Sequence, residues 1–253
     1  MFTPPGNSTP PPPPSPGYVV VKAPSTKPVV TYTLMGITIV TFLLQLISEY
    51  LLAADYPASF GMKVNDLIVS GQLWRLITPV FLHGSIMHVA FNMYALYALG
   101  PGLERHYGHT RFLALYLLSG FAGNVISFWF SSAYSLGSST ASFGLLGAEG
   151  VFLYRHKGLF GATAQRALIN VVIIAAINLV IGLSPGIDNW GHVGGLVAGT
   201  GFAWFAGPVY RVEGIDFRPA LVDEREGSDA LRAGIGVGGL FALLAALKIF
   251  LKL

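Results

Sequence analysis

Apolar runs that approach the length of a bilayer crossing recur along this chain of 253 residues, and they limit its fold more than any other feature. A transmembrane helix needs about 20 consecutive, mostly apolar residues. Only 11% of the residues are charged, whereas about one quarter of a soluble domain is charged. The sequence therefore predicts an all-α membrane protein, whose seven spans we place at residues 30–52, 83–103, 112–132, 139–156, 167–184, 190–209 and 231–251.

The segments between these spans complete the predicted organisation. We assign residues 1–28 to a Pro-rich cytoplasmic tail, 29–209 to a six-span core, 210–230 to a cytoplasmic linker and 231–253 to the seventh transmembrane helix. The tail holds ten of the sixteen prolines, which is typical of a disordered leader or of a ligand for a proline-recognising partner. The first loop, residues 53–82, is predicted to form a structured element at the membrane interface.

The placement of lysine and arginine predicts how the spans are oriented, because cytoplasmic loops carry an excess of these residues. With the N-terminus in the cytoplasm, eleven of the fifteen lysines and arginines fall on the inner side. Lys248 and Lys252 lie on the disfavoured outer side, at the end of the seventh span. The expected location of this compact, multi-pass chain is the inner (plasma) membrane of a bacterium.

Polar side chains at the outer ends of three spans indicate a functional site, because polar groups are costly inside a membrane. In this orientation the second, fourth and sixth spans all run from outside to inside. His83, His88 and Asn92 lie near the start of the second span, Ser139 opens the fourth, and His192 lies near the start of the sixth. These side chains therefore share a similar depth and can converge on one site.

The residue types favour nucleophilic catalysis by serine. The hydroxyl of Ser139 needs a base within hydrogen-bond reach, and His192 is the natural candidate. His88 and Asn92 are four residues apart, so they share a helix face and can donate to one oxyanion together with the backbone N–H of Ser139. Asp188 is the only carboxylate near His192 in the sequence, but nothing aligns it with the imidazole, so we favour a Ser–His dyad over a triad.

Stripes of small residues predict close packing between the fourth and sixth spans, because such stripes let membrane helices approach backbone to backbone. Generic helix packing would explain the stripes but not a histidine in their midst. The small residues are Gly191, Gly195 and Gly199 on the sixth span and Ala141, Gly144 and Ala148 on the fourth.

As a set, these motifs resemble the rhomboid family of intramembrane serine proteases over about residues 58–209. The resemblance implies a rhomboid-like six-helix transmembrane core, here followed by one C-terminal transmembrane helix. It also implies that the substrates are single-span membrane proteins, which enter sideways from the lipid bilayer and are cut near the outer face. The matching elements are Trp74-Arg75, His83-x₄-His88-x₃-Asn92, Gly137-Ser138-Ser139, the run from Phe143 to Ala148 and the run from Gly191 to Gly195.

The resemblance also implies a role for each residue of the site. Ser139 would be the nucleophile, and His192 would be the general base and then the general acid. His88 and Asn92 would form the oxyanion hole with the Ser139 amide. Phe143 matches the aromatic position that packs against the histidine.

Four further residues are expected to support the site or to modify it. Trp74 and Arg75 would anchor the first loop. His83 could be a second site residue, but its early position favours a structural hydrogen bond at the start of the helix. Thr140 stands where the family usually has glycine, and its branched side chain is expected to crowd the substrate residue beside the scissile bond.

Three classes of function remain, of which the serine endopeptidase explains the motifs best. The second is a catalytically weak rhomboid-like protein that binds membrane clients without cutting them. The third is a zinc protease using His83, His88 and His192, although the usual His-Glu-x-x-His spacing is absent. The favoured class needs no metal or other cofactor. The net charge of +3 without a basic patch gives no indication of a nucleic-acid partner, and the oligomeric state is not indicated.

Overall fold

The computed structural model describes residues 26–213 and 220–251, which are mostly helical. The predicted Pro-rich tail up to residue 25, and Lys252, lie outside the described residues. The helices are α1 (Val29–Leu52), α2 (Tyr56–Gly61), α3 (Asn65–Val69), α4 (Ile86–Phe130), α5 (Ser139–Ile181), α6 (Asn189–Ala206) and α7 (Gly227–Leu251). Two 3-10 helices, Leu73–Leu76 and Thr78–Phe81, belong to the first loop, and strands β1 (Tyr210–Glu213) and β2 (Ala220–Asp223) form an antiparallel hairpin.

Two of the helices are long enough to cross a bilayer twice, and each of these is bent at a glycine. α4 has 45 residues and α5 has 43. Gly108 (φ 73°) in α4 and Gly161 (φ 58°) in α5 adopt non-helical conformations that residues with a Cβ rarely adopt. Each bend separates two predicted spans, so the described residues contain seven long helical segments, besides the short helices α2 and α3, where the sequence predicts seven spans. The all-α membrane class is confirmed.

The centre of the bundle is formed by α6 packed against α5 and the second half of α4. Gly195 and Gly199 of α6 lie in backbone contact with α5. A Cβ atom on Gly195 would collide with the carbonyl oxygen of Thr140, and one on Gly199 would collide with the backbone of Gly144. The close packing predicted from the small-residue stripes is therefore confirmed, and it sets the distance between the helices that carry the predicted serine and histidine.

The first loop folds as short helices held together by two side chains that the sequence singled out. The guanidinium of Arg75 donates to the carbonyl oxygens of Met62 (2.8 Å) and Ser59 (2.9 Å). The indole N–H of Trp74 donates to the carbonyl oxygen of Phe60 (3.1 Å), and the two rings stack. These bonds join the C-terminal part of the loop to α2, which makes the loop a compact element.

The N-terminus of α1 is capped by a side chain from α4. Glu104 is fully buried, and its carboxylate accepts hydrogen bonds from the backbone N–H groups of Val30 (2.8 Å) and Thr31 (2.7 Å) and from the Thr31 hydroxyl (2.6 Å). The first backbone N–H groups of a helix have no partner within the helix. The carboxylate satisfies two of them and complements the helix dipole, which accounts for a buried acid at this depth.

Residues 210–230, which the sequence predicts to form a linker, carry the β1–β2 hairpin, which folds over the end of the first half of α5. The imidazole of His156 is buried there, since its Nδ1 lies 2.7 Å from the carbonyl oxygen of Phe152 and its Nε2 accepts from the backbone N–H of Tyr210 (2.9 Å). The sequence predicts a solvated His156 at the end of a span. That prediction is wrong because the hairpin covers the ring.

Candidate active site

A cavity of about 520 Å³ opens between the first half of α4 and the second half of α5. Four polar side chains that the sequence predicted to converge all line it. They come from three helices and are separated by up to about a hundred residues in the chain. The four side chains are His88, Asn92, Ser139 and His192.

The serine at the start of α5 is within hydrogen-bond reach of the histidine on α6. The distance from Ser139 Oγ to His192 Nε2 is 3.0 Å. This separation lies within the range in which a histidine can accept a proton from a hydroxyl. Gly137 precedes the serine with a φ of 131°, and a Cβ there would lie 2.8 Å from the ring of His88. The glycine therefore lets His88 approach the turn that presents Ser139.

The imidazole of His192 is held by packing more than by hydrogen bonds. It stacks on the ring of Phe143 with a centroid distance of 4.3 Å and an interplanar angle of 15°. Its Nδ1 atom is buried and has no hydrogen-bond partner among the residues that the structure describes. Asp188 instead accepts hydrogen bonds from the backbone N–H of Gly191 (3.0 Å) and from the hydroxyl of Ser127. No carboxylate in the described part of the chain therefore orients the imidazole.

Two side chains of α4 supply N–H groups on the opposite wall of the cavity. His88 Nδ1 accepts a long hydrogen bond from the backbone N–H of Gly84 (3.5 Å), which leaves the proton on Nε2, the nitrogen that faces Gly137. Asn92 donates one of its two amide N–H groups to the carbonyl oxygen of His88 (2.9 Å). The second N–H of Asn92 remains, so the wall can supply two donors on one helix face.

His83 lies behind the cavity and does not line it. It is buried, and its Nε2 lies 3.4 Å from both the backbone N and the Oγ of Ser138. Its ring also packs edge-on against His88 with a centroid distance of 5.0 Å. The side-chain hydrogen bond of His83 is therefore structural, as expected, but it holds the turn before Ser139 and not the start of α4. Ser138, the neighbouring serine that could compete with Ser139 as the nucleophile, is fully buried, and its hydroxyl lies against His83 instead of His192.

The structure contradicts the expected steric role of Thr140. The side chain is only 2% exposed and does not line the cavity. It points between α4 and α6, where a Cβ on Gly123 or on Gly191 would lie 2.9 Å from its methyl group. The prediction that Thr140 crowds the substrate is therefore wrong, because neighbouring residues of a helix point in different directions and, of these two, Ser139 faces the cavity while Thr140 does not.

This placement changes what a substitution at the position should do. We expect Thr140→Gly to leave the relative cleavage rates of reporters with small and large residues at the cut site unchanged. We also expect it to lower the free energy of unfolding by about 1 kcal/mol, since the methyl packing is lost and glycine loosens the first turn of the helix. Thr140→Val keeps the packed methyl group and replaces the buried, unpartnered hydroxyl by a second methyl, so it should be at least as stable as the wild type. A widened range of substrates in Thr140→Gly would restore the steric explanation.

Several residues of the cavity wall gave no clear signal in the sequence. Tyr134 and Leu136 lie in the loop before α5, and Ile187 lies in the loop before α6. Ile174 and Asn178 face the cavity from the second half of α5. The loop residues follow no helical period, and only the bend at Gly161 brings the second half of α5 to this wall. Among the described residues, no cluster of three or more His, Cys, Asp or Glu could hold a metal ion.

Comparison with known proteins gives one consistent result. The family model described as "Rhomboid domain" matches residues 70–209, which include every residue of the cavity discussed above. The chain is 41% identical over 174 residues to "Rhomboid protease GluP" of Bacillus subtilis (strain 168). This alignment covers 68% of this chain and 34% of that protein. It is 37% identical over 158 residues to "Rhomboid-like protease 1" of Toxoplasma gondii, which covers 58% of this chain and 52% of that protein.

A plant relative shows the same pattern of partial coverage. The chain is 35% identical over 157 residues to "RHOMBOID-like protein 9, chloroplastic" of Arabidopsis thaliana, which covers 62% of this chain and 36% of that protein. The alignments with these three relatives thus span between about a third and a half of their length.

Proposed function

This chain belongs to the rhomboid family, and from that premise we propose that it is an intramembrane serine endopeptidase. Its substrates are single-span membrane proteins, which it cuts near the outer face of the membrane. The observation that carries the proposal is the 3.0 Å distance between Ser139 Oγ and His192 Nε2 inside a cavity between membrane helices. Relatives whose names include the word protease support the same conclusion.

In the proposed mechanism a dyad carries out acyl transfer. His192 takes the proton of Ser139 as the hydroxyl attacks the scissile carbonyl, and it then gives the proton to the leaving amine. Phe143 keeps the imidazole plane in position through both steps. The absence of a partner on Nδ1 among the described residues supports a dyad without a third member.

The oxyanion of the tetrahedral intermediate needs donors that are fixed before the reaction begins. We assign this role to the side chains of His88 and Asn92 and to the backbone N–H of Ser139 at the start of α5. A helix start presents free N–H groups, and the positive end of the helix dipole favours the developing negative charge.

Substrates reach the dyad from the side. The cavity wall includes Phe91 and Ala95 from the first half of α4 and Ile174 and Asn178 from the second half of α5. Phe91 and Ile174 are also exposed on the outer surface of the bundle, which is where lipid surrounds the protein. A transmembrane segment that moves between these two helical segments would meet Ser139 without leaving the bilayer.

The proposed location follows from the distribution of charge. The protein is an integral, multi-pass membrane protein, and we propose the inner membrane of a bacterium with the N-terminus in the cytoplasm. In this orientation the site lies in the outer part of the membrane.

A cleavage assay in proteoliposomes tests the proposed function. The wild type should cut a reporter with a single transmembrane span, mass spectrometry should place the cut near the outer end of that span, and a chelator should have no effect. Ser139→Ala is the inactive control. A reporter that binds the wild type but stays intact would favour the client-binding alternative, and inhibition by a chelator would favour the zinc protease.

The proposed oxyanion donors give a second expectation. His88→Ala and Asn92→Ala should each lower kcat by about 10²–10³-fold, a loss of roughly 3–4 kcal/mol at most, because each removes one donor. KM should change much less, since the donors act on charge that develops after binding. Steady-state kinetics on the same reporter measure both constants. A large rise in KM with normal kcat would make these residues docking elements.

A further inference from the structure

Asp188, which does not reach the imidazole, holds the backbone of the turn that carries it. Its Oδ1 accepts from the backbone N–H of Gly191 (3.0 Å), and its carbonyl oxygen accepts from the backbone N–H of His192 (3.2 Å). A capping aspartate fixes the first turn of a helix by satisfying its free N–H groups. The position of His192 along α6 therefore depends on where Asp188 is held.

Asp188 is itself connected to the first loop through two further side chains. Its Oδ2 accepts a hydrogen bond from the hydroxyl of Ser127 near the end of α4. The same hydroxyl oxygen accepts from the ammonium group of Lys63 (2.9 Å), which is fully buried. Lys63 also donates to the carbonyl oxygens of Ser131 (2.8 Å) and Ala133 (3.0 Å). A continuous series of hydrogen bonds thus runs from the first loop to the start of α6.

The charges in this series depend on one another. An isolated buried ammonium is strongly unfavourable unless it is paired and hydrogen-bonded. Burial lowers the pKa of Lys63 to about 8, while the carboxylate of Asp188 raises it and the ammonium of Lys248 lowers it further. The carboxylate of Asp188 is therefore the negative charge that favours the ammonium form of Lys63.

We propose that Lys63, Ser127 and Asp188 form a positioning chain that sets the location of His192 relative to Ser139. The inference rests on the proposed function and extends it to residues outside the cavity's catalytic pair. It gives the first loop a part in catalysis, because Lys63 belongs to that loop while the imidazole lies on α6. None of the three side chains makes a hydrogen bond to the imidazole, so they set its position through the backbone of the first turn.

Another side chain of the first loop, Asn65, is hydrogen-bonded to the same end of α4 and provides a matched control. Asn65, also in the first loop, donates to the carbonyl oxygens of Phe128 (3.3 Å) and Ser131 (3.0 Å) but makes no bond to Ser127 or Asp188. Removal of its side chain therefore perturbs the same loop and the same helix end without breaking the chain.

The test compares Lys63→Met, Ser127→Ala and Asp188→Ala with Asn65→Ala in the reporter assay. Each of the first three should lower kcat by about 10–10²-fold with little change in KM, because a small displacement of the base slows the reaction more than it weakens binding. Asn65→Ala should stay within about threefold of the wild type. Asp188→Asn keeps the helix cap but not the negative charge, so its rate should lie between those of Asp188→Ala and the wild type.

A double variant tests whether the residues act as one series. Ser127→Ala combined with Asp188→Ala should be no slower than the slower single variant, because residues of one network are not additive. Multiplied losses of rate, or an equal loss in Asn65→Ala, would overturn the proposal. If Lys63→Met does not fold, Ser127→Ala still breaks the connection between Lys63 and Asp188, and it does so without removing either charged side chain.

Hydrogen exchange provides a readout that does not depend on catalysis. The amides of Gly191 and His192 should exchange faster in Ser127→Ala and Asp188→Ala than in the wild type, and Asn65→Ala should leave them unchanged. Unchanged exchange in Asp188→Ala would refute the positioning chain even in an active enzyme. Inactivity of the wild type would refute the proposed function alone, since the exchange result would still stand.

Discussion

Ser139→Ala and His192→Ala are each expected to abolish cleavage of a single-span reporter while the protein remains folded. The first removes the nucleophile and the second removes the base, and the two groups are 3.0 Å apart. In a soluble serine protease, loss of one such group lowers kcat by about 10⁶-fold, and removal of further members of the unit adds little. The double variant should therefore be no slower than either single variant.

The controls for this prediction separate chemistry from folding. Ser139→Ala removes one hydroxyl and should change the free energy of unfolding by no more than about 1 kcal/mol. His192→Ala also removes a ring stacked on Phe143, so His192→Phe is the better matched variant, since it keeps an aromatic ring there and lacks the nitrogen. Thermal unfolding and gel filtration of each variant check the fold. Full activity in Ser139→Ala would contradict the Ser139–His192 dyad, and Ser138→Ala would then be the next variant to assay.

Gly195→Val is expected to inactivate the protein through packing alone. Even a single Cβ atom at this position would collide with the carbonyl oxygen of Thr140, which belongs to the backbone of α5 and cannot rotate away. α6 must therefore move outward and carry His192 with it. A displacement of about 1 Å in an active site can lower the rate by 10²-fold, so we expect at least that loss.

The same helix supplies the control for this substitution. At Gly201, no atom outside the adjoining turns of α6 lies within 4 Å of the position where a Cβ would lie. Gly201→Val should therefore keep the activity and stability of the wild type, whereas Gly195→Val should be destabilised by about 1–3 kcal/mol or more. Reporter cleavage and thermal unfolding measure both effects. Wild-type activity in Gly195→Val would mean that close contact between α5 and α6 is not needed.

The sequence by itself predicted where the chain crosses the bilayer and that the candidate site residues share a similar depth. Apolar length fixes where a chain can cross a bilayer, because the thickness of the bilayer sets the length of each helix. The alternating direction of successive spans then places the start of every second span on the same side. For that reason Ser139 and His192, which are 53 positions apart, could be paired before any contact was known.

Local composition also determined which helices approach closely. Small residues at a spacing of four form a groove along one helix face. Gly195 and Gly199 form this groove on α6, and the backbone of α5 lies against it. The bends at Gly108 and Gly161 were not predicted as such, but the hydrophobic pattern already separated the spans on either side of them.

The tertiary structure alone decided which way individual side chains face and which distant groups they meet. Thr140 and Ser139 are neighbours, yet one packs against α4 and α6 while the other faces the cavity, because the rotation of α5 about its axis is set by its partners. Asp188 is bonded to a serine 61 positions away, and that serine to Lys63, 64 positions further back. Such contacts follow no period along the chain. They form because a buried charge in a membrane must find its partner wherever packing has placed one.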